Sequence, residues 1–178
     1  MKASAYIATS LDGFIARENG DIDWLPVPGS DGSGEDYGYK EFMDTVDVLV
    51  MGRNTFEKVP TFPEWPYGNK PVIILSHRPV NIPKHLARSV EAMSCSPHEL
   101  ARRLSERGAS HIYVDGGKTI REFLEEGLIR QLIITRIPIL IGSGIPLFGP
   151  LKRDIRLRHI ETRRFADGLV QSRYEVME

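Results

Sequence analysis

Three short stretches combine glycine or serine with a cation and small polar residues: Gly52-Arg53-Asn54-Thr55, Ser76-His77-Arg78 and Asp115-Gly116-Gly117-Lys118-Thr119. Each follows an apolar run of strand character, and the first and third lead into helical patterns. A helix start offers backbone N–H groups and the positive end of the helix dipole, so such a turn can hold an anion. Arg53 and Arg78 add guanidinium groups that grip phosphate oxygens in pairs, with Ser76 and His77 as further donors. Gly116-Gly117 lets the backbone approach a ligand closely, and adjacent N–H groups at a helix start suit a pyrophosphate. The plainer reading of each stretch alone is a tight turn or a solvated loop arginine. Their recurrence at three strand ends points to one phosphate-bearing small molecule.

Two carboxylates are candidates for proton chemistry. Asp36 lies three and seven residues before Tyr39 and Met43 in "EDYGYKEFMDTV", on their inward face if that stretch is helical. A carboxyl group there can hold or relay a proton to a substrate. It serves equally as a capping acid, with Glu35 beside it. Asp12 in "SLDG" is open in the same way, because Asp-Gly also makes an ordinary turn.

Several chemistries are excluded. The five histidines show no i, i+4 pairing, and Cys95 is the single cysteine, so no protein-built metal site and no disulfide framework is expected. Neither a G-x-S-x-G elbow nor a G-x-x-x-x-G-K-[ST] loop occurs, and "GSGIPLFG" misses the dinucleotide fingerprint because its third glycine comes too late. The net charge of −1 argues against a dedicated nucleic-acid or membrane-surface binder. No apolar run approaches the ~20 residues of a membrane span, and the opening "MKASAYIATSLDGF" lacks the apolar block of a signal peptide, so a cytoplasmic protein is expected.

The 178 residues, 41% hydrophobic, suit one domain spanning residues 1–178. "SAYIATS", "DVLVMG", "KPVIILS", "HIYVD" and "RQLIITRIPIL" read as strands. Between them lie helical patterns at "EDYGYKEFMDTV", from about Asn54, at "SPHELARRLSERG" and at "KTIREFLEEG". In the third of these, Ser96 suits the N-cap, Pro97 the first turn and Gly108 the end. Residues 17–34 read as a long mobile loop, "VPTFPEWPYGN" as a second loop, and "RLRHIETRRFADGLVQSRYEV" as a closing hairpin. This alternation predicts an α/β fold with a mostly parallel central sheet, flanking helices and an antiparallel C-terminal hairpin. Ligands in such sheets bind beyond the carboxyl ends of the strands, where all three glycine- and cation-bearing stretches fall.

Five segments in order resemble the dihydrofolate reductase-like superfamily, and within it the C-terminal reductase domain of bacterial riboflavin biosynthesis. They are "ATSLDGFIA" (Ala8–Ala16), "VDVLVMGRNTFE" (Val46–Glu57), "VIILSHR" (Val72–Arg78), "IYVDGGKTIREFLEEGLI" and "PILIGSGIPLF". The resemblance implies the dihydrofolate reductase-like fold and an NADPH-dependent reductase that passes a hydride to a C=N carbon of a small heterocycle. Gly52, Arg53, Asn54 and Thr55 would meet the cofactor phosphates, and Ser76, His77 and Arg78 the adenosine 2′-phosphate. Gly116, Gly117, Lys118 and Thr119 would lie on the pyrophosphate side, with Gly116-Gly117 a candidate cis peptide. Ala8 and Ile15 would frame the nicotinamide, with Thr9, Ser10 and Asp12 near it and Asp36 on the substrate side. The resemblance also implies a homodimer.

Two branches compete for the substrate. Asp36 stands sixteen residues before Gly52, the separation found in true dihydrofolate reductases, which favours a pterin. "SLDG", Asp115 before the glycine pair and "PILIGSGIPLF" look like the riboflavin branch, which favours a ribosylaminouracil substrate. The deaminase half of the bifunctional riboflavin enzyme has no counterpart, since its H-x-E…P-C-x-x-C signature needs more than one cysteine. A binding module that keeps the NADP site without turnover, and a structural homodimer, are the readings from other classes.

Overall fold

Short runs of aliphatic residues buried on both faces form the middle of the sheet, as parallel strands covered by helices require. In the computed structural model, which describes residues 1–26, 34–59 and 64–177, the elements follow the order set by that pattern. They are β1 (Lys2–Ser10), β2 (Phe14–Ala16), α1 (Tyr39–Asp44), β3 (Val48–Gly52), α2 (Arg53–Lys58) and β4 (Val72–Leu75). A 3-10 turn (Lys84–Leu86), β5 (Val90–Met93), α3 (Pro97–Glu106), β6 (His111–Asp115), α4 (Gly117–Glu125) and β7 (Ile129–Ile137) come next. The chain closes with β8 (Ile145–Pro146), β9 (Leu157–Arg164) and β10 (Val170–Val176). The glycine-rich end of the expected 17–34 loop and residues 60–63 of the second loop lie outside the described residues.

The main sheet has eight strands in the order β5-β4-β3-β6-β1-β7-β10-β9. Strands β5 through β7 run parallel, and β10 is antiparallel to both β7 and β9, which gives the expected terminal hairpin. A small antiparallel pair, β2 with β8, stands apart from it. The sequence reading contains neither this pair nor β5. Two of these strands hold three residues or fewer, and β5 buries only its two ends.

Alternation along the strands divides the core. Leu49, Met51, Ile74 and Tyr113 face Phe42 of α1 and Phe56 of α2. Val48, Val50, Ile112 and Val114 face Leu100 of α3 and Ile120 and Phe123 of α4. A third, smaller cluster joins Trp24, Ile137 and Leu169 to Ala8, Tyr37 and Phe165. Helix α3 begins as its sequence dictates, with the Ser96 hydroxyl accepting the Glu99 N–H at 3.2 Å. Helix α1 is shorter than its pattern suggests and starts at Tyr39, so Asp36 lies ahead of it rather than opening it.

At the amino edge, His111 is buried between β1 and the end of α1. Its Nδ1 lies 3.0 Å from the Thr45 carbonyl oxygen and its Nε2 2.8 Å from the Ser4 hydroxyl, a set that satisfies a neutral ring. Burial, and next the nearby Lys2 ammonium, hold its pKa below the ordinary value. The unfolded chain therefore takes up this proton first as pH falls. The stabilisation is complete above pH 6.5, the ordinary histidine value, and declines as pH drops from there through the lowered folded value. Urea unfolding at pH 7.5 and pH 5 should show the wild type losing more stability between them than His111→Gln; equal losses would rule this out.

Candidate active site

The ladder between β1 and β6 stops early. It pairs Lys2 with His111, Ala3 with Ile112 and Ser4 with Tyr113, whereas β1 continues beside β7 as far as Ser10 with Ile137. Beyond Ser4 the two central strands separate, and the Tyr113 hydroxyl donates to the Tyr6 carbonyl oxygen at 2.8 Å. A slot is thus bounded by Tyr6–Ser10 on one side and Asp115-Gly116 on the other. The crossover from β1 to β3 runs through α1 on one face of the sheet, and that from β6 to β7 through α4 on the other. The slot is the point where the winding reverses, the usual ligand position in such sheets.

The starts of α2 and α4 interlock beside it. Gly116 has φ +89° and ψ 132°, and a Cβ on it would overlap the Thr55 hydroxyl. A Cβ on Gly52 would sit 3.0 Å from the Thr119 hydroxyl. Gly117 is closed in by Ile15 Cδ1 and the Pro146 carbonyl oxygen, each 3.0 Å from a Cβ built there. Packing alone therefore demands these glycines. The Gly116–Gly117 peptide, the candidate cis bond that the resemblance implies, is trans: no cis bond occurs among the described residues, and the positive φ of Gly116 makes the turn.

Neither α2 nor α4 carries a side-chain N-cap, so their first-turn N–H groups are left for another acceptor. This is what a dinucleotide's phosphates would need. The neighbouring side chains fit. Arg53 is held by Glu57 at 2.8 Å, Lys118 is exposed within 3.8 Å of Glu122, and Asn54 is exposed. At the next strand end, the Ser76 hydroxyl accepts the Arg78 N–H at 3.1 Å and shapes the turn, His77 Nδ1 lies 2.9 Å from the Ser94 hydroxyl, and Arg78 is exposed. The sheet order β4-β3-β6-β1 sets these three strand ends side by side at one edge. A cavity of about 630 Å³ lined by Asp47, Pro71, Arg88 and Arg107 opens at the opposite, amino edge.

The acids are placed differently from one another. Asp36 accepts the Gly38 and Lys40 N–H groups, both at 2.9 Å, one with each oxygen. Asp12 accepts the Gly142 N–H at 2.8 Å and the Ile141 N–H at 3.3 Å, fastening the β1–β2 turn to the segment after β7. A Ser10 hydrogen bond, then these N–H groups, lower its pKa. Thr9 is buried on the β1 face shared with Ala5 and Ile7, turned away from Ala8 and Ser10. Ala8 packs with Trp24, and Ile15 lies over Gly117.

Asp115 is the carboxylate at the slot itself. Burial pushes its pKa up to about 6, partly offset by the Gly116 N–H that it accepts at 2.7 Å. The phenols of Tyr39, Tyr67 and Tyr113 feel its charge, and together with their own burial it raises all three. The sequence marks Asp115 only through the glycine pair after it. Trp24 had no signal, since it falls in an apparent loop. It is 9% exposed, and its indole N–H is buried without an acceptor among the described residues.

A family profile described as the RibD C-terminal domain matches residues 3–171. The structure superposes on that of a protein from Shewanella sp. PV-4 provisionally named for riboflavin biosynthesis, with a TM-score of 0.91, 38% identity and full coverage of both chains. A diaminohydroxyphosphoribosylaminopyrimidine deaminase/5-amino-6-(5-phosphoribosylamino)uracil reductase from Thermotoga maritima shares the fold, with a TM-score of 0.76 and 16% identity. That match covers 99% of this chain and 56% of the other. So does a dihydrofolate reductase from Enterococcus faecalis complexed with NADP(H), with a TM-score of 0.70, 17% identity, and coverage of 99% and 97%. The fold is dihydrofolate reductase-like.

The geometry makes two stability predictions. An acid raised from its ordinary 3.8 to about 6 contributes stability below 3.8 that is lost as pH rises through 6. Asp115→Asn should therefore be more stable than wild type at pH 7.5, by up to about 3 kcal/mol. The gain should vanish near pH 4, and a gain independent of pH would contradict the assignment. Gly116→Ala should cost at least about 2 kcal/mol from strain and overlap with Thr55, read from the urea midpoint. With the sheet order, the interlocked glycines and the profile agreeing across nearly the whole sequence, the chain belongs to the RibD C-terminal domain family.

Proposed function

We propose that the protein is an NADPH-dependent reductase that transfers a hydride to a C=N carbon of a small nitrogen heterocycle, in the manner of a riboflavin-biosynthesis reductase. The observation that carries this reading is the convergence of three strand ends beside the slot between β1 and β6. NADPH bound there would supply the hydride. The first-turn N–H groups of α2 and α4, with Arg53, Asn54, Thr55, Lys118 and Thr119, hold its phosphates. Ser76, His77 and Arg78 take the 2′-phosphate, which selects NADPH over NADH. Ala8 and Ile15 border the nicotinamide from opposite sides of the slot.

Reduction of C=N needs a proton at nitrogen as well as the hydride at carbon. Asp115 is the group we assign to that proton, since its raised pKa keeps part of the population protonated near neutrality. Asp36 and Asp12 act by positioning, the first at the approach to α1 and the second at the turn after β1. A homodimer formed through β9 is the assembly we favour, because Leu157 and Ile160 on that edge strand are 41% and 47% exposed. A pterin is the second reading for the substrate, supported by the sixteen-residue spacing of Asp36 and Gly52.

Titration with NADPH and NADH, followed by nicotinamide fluorescence, tests the cofactor. NADPH should bind at least about tenfold more tightly, and Arg78→Ala should remove most of that difference. An unchanged ratio would displace Arg78 from the 2′-phosphate. NADPH oxidation should be followed with a panel of ribosylaminouracils, dihydropterins and flavins. With any substrate turned over, the rate should fall as pH rises above about 6. Asp115→Asn should abolish that limb and lower kcat by roughly 10²-fold or more. A full rate in Asp115→Asn would return the proton role to Asp36.

A further inference from the structure

The closing hairpin is segregated by charge. Strand pairing puts Gln171, Arg173 and Glu175 of β10 on one face with Arg163, Glu161 and Arg158 of β9. Both acids of these two strands lie there, and both are spent: Glu161 on Arg173 at 3.2 Å and Arg163 at 3.4 Å, Glu175 on Arg158. The opposite face carries Val170, Ser172 and Tyr174, in register with Arg164, Thr162 and His159 of β9. Val170 is also in register with Arg136 of β7, and Arg136 with Thr9 of β1. One row thus runs Thr9, Arg136, Val170, Arg164, from the rim of the slot to the sheet edge.

Among the described residues of β7, β9 and β10, no acid stands on this second face. Arg136 and Arg164 are exposed, and neither has a hydrogen bond or an ion pair from its side chain among the described residues. Acids on the elements around the face are engaged elsewhere or distant. Glu122 and Glu125 of α4 are 3.8 Å from Lys118 and 3.4 Å from Lys152. Asp12 spends its oxygens on the Gly142 and Ile141 N–H groups, and Asp167 on the Tyr37 hydroxyl and the Leu169 N–H. Asp154 precedes the far, amino-side end of β9. Protection of an exposed sheet edge accounts for an arginine on β9 but not for Arg136, which lies two strands inside.

Further donors line the same face. The Thr162 hydroxyl lies 2.9 Å from the Ser172 hydroxyl and 2.7 Å from His159 Nε2. At the slot end, Thr9 is 3% exposed and its hydroxyl has no partner among the described residues. Neighbouring strands stand about 4.8 Å apart, so Arg136 and Arg164 flank Val170 with about 10 Å between their Cα atoms. Two arginine side chains can close that gap on a single anion. One guanidinium fork satisfies the two oxygens of a carboxylate, whereas two forks with hydroxyls beside them suit the three terminal oxygens of a phosphate ester. We propose that this face binds a phosphate monoester between Arg136 and Arg164, with Thr162 and Ser172 as further donors, apart from the cofactor-side cations Arg53, Arg78 and Lys118. The row holds the phosphate about 10 Å from Thr9, within the length of a sugar phosphate. Edge pairing of β9 with a second copy leaves the face open. The site stands without the reductase reading, and only the joining of the ester to a ligand in the slot rests on it.

The test is calorimetric titration of the intact protein with ribose 5-phosphate, with ribose and ribonate as the neutral and carboxylate controls. Ribose 5-phosphate should bind at least about tenfold more tightly than either, with affinity falling as salt is raised. Arg136→Gln and Arg164→Gln should each weaken it at least about tenfold, while Arg88→Gln, an exposed arginine at the amino edge, should not; urea midpoints check that each variant is folded. No binding, equal binding of ribonate, or loss in Arg78→Ala but not in Arg136→Gln would overturn the proposal. Ribosylaminouracil with and without its 5′-phosphate then identifies the ester. A phosphate advantage that Arg136→Gln abolishes assigns the phosphate to the slot ligand, and simultaneous binding of ribose 5-phosphate beside the phosphorylated compound assigns it to a separate molecule; either result sustains the site. Absence of NADPH oxidation with every compound would remove the reductase reading and leave the site in place.

Discussion

The separation of β1 from β6 after Ser4 and Tyr113 is the feature on which the rest of the architecture turns. A fully paired ladder would close the middle of the sheet and leave Asp115 as one more strand residue. Because β1 stays paired with β7 to Ser10, the separation concentrates at one place. The Tyr113 hydroxyl, reaching across to the Tyr6 carbonyl oxygen, occupies a backbone acceptor that would otherwise stand unmade in the gap. The opening is thus a satisfied structure, held by a side chain where the ladder gives out.

Around that opening, the fold depends on very close approaches between helix starts. Thr55 of α2 lies where a Gly116 side chain would be, and Thr119 of α4 where a Gly52 side chain would be. The exchange is reciprocal: each helix contributes a threonine and each strand end a glycine. Asp12 and Asp36 do comparable work at the periphery, each tying down two backbone N–H groups.

Much of this was legible in the amino-acid order because local signals and burial agree in the centre of the sheet. Apolar runs ending in glycine located β3 and β6, and Ser96 with Pro97 located α3 to the residue. The closing hairpin followed from alternation around Ala166-Asp167-Gly168. What stayed hidden depends on distant contacts. Strand β5 exposes Glu91 and Ala92 and carries no pattern of its own, since its place is fixed by pairing with β4. The raised pKa of Asp115 left no mark in the sequence, because the burial that causes it exists only in the folded chain at the end of β6. Trp24 looked like part of a loop because its partners Ile137 and Leu169 lie more than a hundred residues away. The glycine pair was read as a means of ligand approach, whereas the side chains of Thr55 and Ile15 already require it.

The charges of the carboxyl edge are interleaved: Arg53 follows β3, Arg78 follows β4, and Lys118 stands three residues after Asp115 at the start of α4. Opposite charges set so near one another largely cancel a Debye length away in solvent. The field of this edge is therefore felt at contact range, and any discrimination it exerts falls after encounter, during the last few ångströms of approach.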